Sequence, residues 1–242
     1  MELTVLGCSG SYGAPPFDAC SGYLVRGGGA AIWVDCGSGT LAHLQHHASI
    51  DDLDAVVLTH QHADHCADIY GLHVLMRYGL ERAGLPVFAP EGLEERLGAL
   101  VDDWGDTFDW KVVGDGDGVE LHDLALRFSR TDHPPPTYAV ELSADGKRLV
   151  YTADTGPGWT VDAFGAGADL VLSEATYQEG HKSVPWHLTA HEAGRDARAA
   201  KASRLILTHI WPQFDVALSE KQGTESFGEP VTLAKPHLVA RV

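Results

Sequence analysis

With 242 residues, 44% of them hydrophobic, the chain has enough apolar side chain for one core of ordinary density, and a single domain over residues 1–242 is expected. Its 17 basic residues face 34 acidic ones, a net charge of −17 with neutral histidines. That surface repels long polyanions and offers no Lys/Arg stripe to track a phosphate backbone. No apolar run approaches the roughly 18 residues of a membrane span, and the N-terminus enters a strand pattern without a basic, signal-like start, so a cytoplasmic protein is expected.

In chain order, short apolar runs predict strands near 2–7, 21–26 and 31–35, then a helix near 38–47. Asp54 to Leu58 reads as a buried strand, followed by a helix near 66–78. Pro86 to Ala89 is a further strand, and 91–103 a charged amphipathic helix. The second half repeats the style. Strands are expected at Leu124–Arg130, Thr137–Leu142 and Arg148–Tyr151, the last two joined by an Asp145-Gly146 turn. Two more buried runs, Asp169–Ser173 and Arg204–Thr208, flank a helix near 189–201. Two strand-rich halves, each carrying helices, imply an α/β (α+β) fold: two mixed sheets packed together with helices outside, a four-layer αβ/βα sandwich.

The chemistry concentrates between the fourth strand and the helix after it, in Thr59-His60-Gln61-His62-Ala63-Asp64-His65. Three imidazoles and a carboxylate this close are too dense for a core and too regular for a solvated run. They are the ligands that zinc and similar divalent ions prefer. His60 and His62, two apart in extended chain, project to one side, while Asp64 and His65 can face a second ion beside the first. Candidate ligands recur at later strand ends: His133, Asp154 and His209. A lone histidine there is usually structural, but three such positions beside the cluster are not accidental. The other histidines His43, His46, His47 and His73 fall on expected helices and read as surface or packing residues. Cys8, Cys20, Cys36 and Cys66 have no C-x-x-C spacing and read as reduced thiols. Cys66, beside His65, is taken as a small packed thiol rather than a ligand.

On these residues the chain closely resembles the metallo-β-lactamase superfamily over nearly its whole length. The resemblance implies that His60, His62 and His133 bind one metal, that Asp64, His65 and His209 bind a second, and that Asp154 bridges them. Zn2+ is expected, with Mn2+ or Fe2+ as alternatives. Asp35, in Asp35-Cys36-Gly37, resembles the family's strand-end Asp-x-Gly and is cast as support for a metal-binding histidine. Asp68 and Asp132 read as solvated loop carboxylates. Three further segments resemble the ribonuclease Z and phosphodiesterase branch. They are Gly7-Cys8-Ser9-Gly10-Ser11, Ser173-Glu174-Ala175-Thr176 with Ser173 in place of a leading histidine, and His187-Leu188-Thr189. The implied catalytic residues are Asp64, Glu174 and His187. The last two form an acid pair that protonates a leaving group while water activated between the ions attacks phosphorus. His191 and Glu192 give no zincin motif, because Leu188 stands where that motif needs Glu.

Fold alone does not choose a substrate. A ribonuclease Z-like enzyme acting on tRNA 3′ ends usually carries a basic, Gly-rich arm, and no such insertion is visible. The segment order looks most like actinobacterial cyclic-nucleotide phosphodiesterases. A small anionic phosphodiester such as cAMP is therefore the expected substrate, with no nucleic-acid or membrane partner and a homodimer common in the branch. Tyr12, Phe17, Tyr177 and Trp186 are candidates to line a base pocket. Thioester, lactone and β-lactam hydrolysis are the competing enzyme readings, and a metal-free binding protein on the same scaffold is the non-enzymatic one. A thioesterase of the glyoxalase II type would need a longer helical segment after His209, and the other two would not need the Glu174–His187 pair.

Overall fold

The computed structural model describes residues 1–242. Its first strands show how the sequence builds layers. In β1 (Glu2–Gly7), Leu3 and Val5 enter the core between two sheets and Leu6 faces the other way, toward helices. In β3 (Ala30–Val34), Ile32 and Val34 point inward while Ala31 and Trp33 meet the helices. Both faces are covered, which is why these strands read as unbroken apolar runs.

Besides these two, the first sheet holds β2 (Gly22–Gly27), β4 (Ala55–Val57), β5 (Leu85–Pro90), β6 (Phe108–Val113) and the C-terminal β14 (Val239–Arg241). Its order is β14-β1-β2-β3-β4-β5-β6, antiparallel at the β1 end and parallel from β3 onward. The second sheet holds β7 (Gly118–Leu121), β8 (Leu124–Arg130), β9 (Tyr138–Ala144), β10 (Lys147–Tyr151), β11 (Leu170–Glu174), β12 (Leu205–Thr208) and β13 (Thr232–Leu233). It repeats the plan, antiparallel from β7 to β10 and parallel from β10 to β13. Helices α1 (Thr40–Leu44), α2 (Ala63–Cys66), α3 (Ile69–Val74) and α4 (Leu93–Gly98) belong to the first half, and α5 (Ala190–Ala199) and α6 (Val216–Phe227) to the second. The expected sandwich of two mixed sheets with helices outside is the observed one. No helix is long and apolar enough to cross a membrane.

The helices differ from expectation in length. The one anticipated over 66–78 is broken at Ala67–Asp68, because the Asp68 N–H bonds the Cys36 carbonyl (2.7 Å) rather than its own helix, and Asp68 Oδ2 accepts the Leu41 N–H (2.7 Å). After α3 it continues as a π-helical stretch over Leu75–Leu80. Asp68 is thus a partly buried cap for α1, not a solvated carboxylate.

On α5, Asp196 reaches back to accept the Val161 N–H at 3.1 Å. Burial, with Asp162 nearby, pushes its pKa up to about 6 against the pull of that N–H and of Arg195. A raised carboxyl favours the protonated form in the folded chain. Its contribution to stability is therefore full below the unfolded value near 4 and is lost as pH rises through 6. Asp196→Asn keeps the acceptor and removes the charge. In urea unfolding it should match wild type near pH 4 and exceed it at pH 8 by about 1–3 kcal/mol. A wild-type chain that is the more stable at pH 8 would refute this.

Candidate metal centre

The site lies where the ends of β3, β4, β8, β10, β11 and β12 face one another across the two sheets. Three of its residues, Asp35, Ala153 and His209, have left-handed backbone (φ 57, 50 and 56) directly at or beyond a strand end. Such φ values are uncommon for non-glycine residues, and they turn side chains out of the sheet toward the shared space. Gly37 lets the Asp35 loop approach: a Cβ there would stand 2.1 Å from the Asp64 carbonyl oxygen.

All seven predicted ligands come together, in two groups of donors. In the first, His60 Nε2 is 3.1 Å from His62 Nδ1, which is 3.3 Å from His133 Nε2. Asp154 Oδ2 lies 3.5 Å from His60 Nε2 and 3.9 Å from His133 Nε2. In the second, His209 Nε2 is 3.2 Å from Asp64 Oδ2, and His65 Nε2 is 3.6 Å from the same oxygen. Asp154 Oδ1 faces this group, 3.3 Å from His65 Nε2 and 3.5 Å from His209 Nε2. One carboxylate therefore turns one oxygen to each group.

These spacings fit bound cations. Two nitrogens on a tetrahedral ion with bonds near 2.0–2.1 Å stand roughly 3.3 Å apart. His65 Nε2 and Asp154 Oδ1 are buried and make no well-aligned hydrogen bond, facing each other at 3.3 Å, the separation of two atoms on one ion. Protonation states agree. Burial, joined by the neighbouring rings, holds His60 well below the usual imidazole range, and burial also lowers His62 and His133, so three donors are neutral. His65 resists its burial because Asp154, Asp35 and Asp64 surround it and hold it well above that range; a metal would replace its proton. Asp154 is also buried, yet His209 and His65 keep it well below the usual carboxylate range.

The supports are as ordered as the donors. Asp35 accepts from His65 Nδ1 (2.7 Å), the Thr59 N–H (2.8 Å), the Thr59 hydroxyl (3.0 Å) and the Tyr151 hydroxyl (2.9 Å). It fixes the tautomer that leaves His65 Nε2 free, the role expected of it. The Trp186 carbonyl does the same for His133 Nδ1 at 3.1 Å. The Gly-Ser loop after β1 supplies the Ser11 N–H, which donates to Asp64 Oδ2 at 2.9 Å.

Glu174 and His187 meet beside Asp154. His187 Nδ1 donates to Glu174 Oε1 at 2.9 Å and is 4.0 Å from Asp154 Oδ2. Glu174 also accepts from the N–H groups of Thr155, Leu188 and Thr176 and from the Thr176 hydroxyl, so it cannot swing. Burial works against a charged His187, but Glu174 and then Asp154 outweigh it and push the ring up to about 9. Cations bound alongside would draw that value back down. The His187 ring stacks on His209 (centroids 5.6 Å apart) and meets His133 edge-on (5.0 Å), standing over both donor groups.

Sequence reasoning passed over Thr176 as an individual residue. Its hydroxyl lies 2.7 Å from both Glu174 Oε2 and His209 Nδ1, linking the acid pair to the second donor group. A motif position gave the only signal for it. Other candidates fall away from the chemistry. Glu192 closes the capping box of α5 with Thr189 and pairs with Lys182. Asp132 is exposed and accepts the Gly158 N–H at 2.9 Å. The Cys66 thiol donates to the His62 carbonyl (3.1 Å), and burial pushes it up to about 12, so it is a packed thiol. Phe17 and Tyr177 are buried, whereas Tyr12 and Trp186 are 47% and 39% exposed, which leaves only the latter pair free to stack on a ligand.

A two-sheet sandwich with this histidine and aspartate cluster at its strand ends is a metallo-β-lactamase fold and defines a metal-dependent hydrolase. The chain belongs to the family described as the beta-lactamase superfamily domain, matched over residues 30–210. It is 36% identical to the uncharacterized protein ML1173 of Mycobacterium leprae, over 96% of this chain and 85% of that one. It is 32% identical to the probable metallo-hydrolase YhfI of Bacillus subtilis over 99% of each chain. The crystal structure of YhfI superposes with a TM-score of 0.89, covering 99% of this chain and 98% of the other at 30% identity. Ribonuclease Z of Mycobacterium bovis is 28% identical over 88% of this chain and 86% of its own.

Proposed function

We propose that the chain is a phosphodiesterase acting on a small cyclic nucleotide such as cAMP. The observation that carries this reading is the Glu174–His187 pair held beside Asp154. Hydrolysis of an alkyl phosphodiester needs a proton for its departing alkoxide, and a charged imidazole held by a carboxylate is a good donor.

In this reading His60, His62 and His133 would hold one divalent ion and Asp64, His65 and His209 a second, with Asp154 available to both. Such ions would supply an acidified water and neutralise the phosphoryl oxygens. The protein's own part is to place the diester and move one proton. His187 carries that proton on Nε2, since Nδ1 is committed to Glu174, and delivers it to the leaving oxygen. Tyr12 follows Ser11, whose N–H holds Asp64, and the Trp186 carbonyl holds His133, so both exposed aromatics sit in chain beside supports of the two donor groups. Two exposed aromatic faces suit a nucleobase, whose stacking is worth about 1–3 kcal/mol.

The net charge of −17 disfavours gripping a large RNA. The likeness to ribonuclease Z of Mycobacterium bovis keeps RNA cleavage as the second reading. Steady-state hydrolysis by metal-quantified protein separates them, using cAMP, cGMP, 2′,3′-cyclic nucleotides, precursor tRNA, a thioester and a lactone. The 3′,5′-cyclic nucleotides should turn over with the highest kcat/KM. Precursor tRNA in first place would transfer the protein to the second reading, and a thioester or lactone there would sink both.

A further inference from the structure

Four imidazoles meet well apart from the centre just described, where α1 runs past β1 and the turn that leads into β14. The His43, His46 and His47 ring centroids lie 4.7, 5.9 and 5.0 Å from that of His237. His47 Nε2 and His237 Nδ1 are 2.8 Å apart, sharing a proton at a separation slightly below that of two nitrogens on one ion. His43 Nδ1 donates to the Leu6 carbonyl at 2.6 Å, which leaves Nε2 as its basic nitrogen. That backbone-anchored tautomer is the usual support of a metal-binding histidine. His237 adopts a left-handed backbone (φ 66), fixed by its N–H to the Val5 carbonyl at 2.8 Å.

We propose that His43, His47 and His237, with His46 as a fourth donor, form a second metal site for a borderline divalent ion such as Zn2+. An all-imidazole set suits zinc, nickel or copper and not calcium or magnesium, which demand oxygen. Burial and mutual crowding, with Arg26 beside His47, lower the pKa of both His47 and His237, so these rings are neutral and ready to ligate. The rings are exposed or half-buried; the His47 and His237 nitrogens already stand at ligand separation, no third ring nitrogen lies within 4.8 Å of both, and closing on one ion requires the His43 and His46 side chains to rotate inward. An ion there staples α1 to the C-terminal segment across β1.

The test is metal content of the holoenzyme dialysed at micromolar free Zn2+, for wild type and for His47→Gln/His237→Asn. Asparagine tolerates the left-handed backbone, so the fold is preserved. Wild type should hold about one ion more per chain than the double variant, while both hydrolyse diester equally. Equal metal content would overturn the proposal. Should the variant not fold, Ni2+ titration of the wild-type holoenzyme decides: selective broadening of these four imidazole signals by NMR supports the site, and its absence overturns it.

Discussion

Asp154→Ala should lower diester hydrolysis by more than about a thousandfold and strip the protein of most of its metal. The reasoning is geometric. Asp154 is 2% exposed and is the one residue whose oxygens face both donor groups, Oδ2 toward His60 and His133 and Oδ1 toward His65 and His209. Losing one outer support typically costs ten- to a hundredfold in metal affinity, and here a donor is lost to both groups at once. The change also removes the counter-charge that keeps His65 positive before metal enters, leaving that ring to Asp35 and Asp64. Elemental analysis of purified variant and wild type gives the readout. A variant with undiminished metal content would show that Asp154 is not shared.

His187→Ala should leave metal content near wild type and divide substrates by leaving group. For a cyclic nucleotide, whose departing alkoxide must be protonated, kcat should fall by roughly 10²–10⁴-fold. For bis(p-nitrophenyl) phosphate, whose leaving group is stable as an anion, the loss should stay within about tenfold. A purely structural His187 would depress both alike. Metal loss in the variant would instead make His187 a ligand, a possibility its proximity to Asp154 and His209 gives a physical basis. Glu174→Gln should follow the same division between substrates more weakly, since it retains the shape but not the charge that holds the imidazolium.

The seven candidate donors were legible because each is a histidine or aspartate in or just beyond the end of an apolar run, and strand ends are where sheets offer side chains to a common space. Their supports were less so. Asp35 announced itself through Asp-x-Gly, but Thr59 and Tyr151 look like ordinary strand residues until the two sheets bring them onto the same carboxylate. Thr176 is likewise invisible without the tertiary contact to His209. Among the elements, α6 left the weakest trace. It is crossed by α5 so closely that a Cβ at Gly194 would lie 2.1 Å from Ser226 Oγ. On α6 itself Ser219, Gly223 and Thr224 lower helix propensity, which hid the helix from pattern reading. The strands β6 and β7, at the edges of the sheets, alternate with exposed polar residues and lack the unbroken apolar run that marked the others.

The division of the donors between the sheets has a mechanical consequence. His60, His62, Asp64 and His65 follow a strand of one sheet, while His133, Asp154 and His209 follow strands of the other. Ions clasped between them would act as rivets through the sandwich, and their loss would leave the seam to the His65–Asp154 and His209–Asp64 contacts alone. A chelator then works as a wedge. The metal-depleted chain should breathe along that seam, and its strand-end loops should become the first places that a protease or an exchanging deuteron can reach.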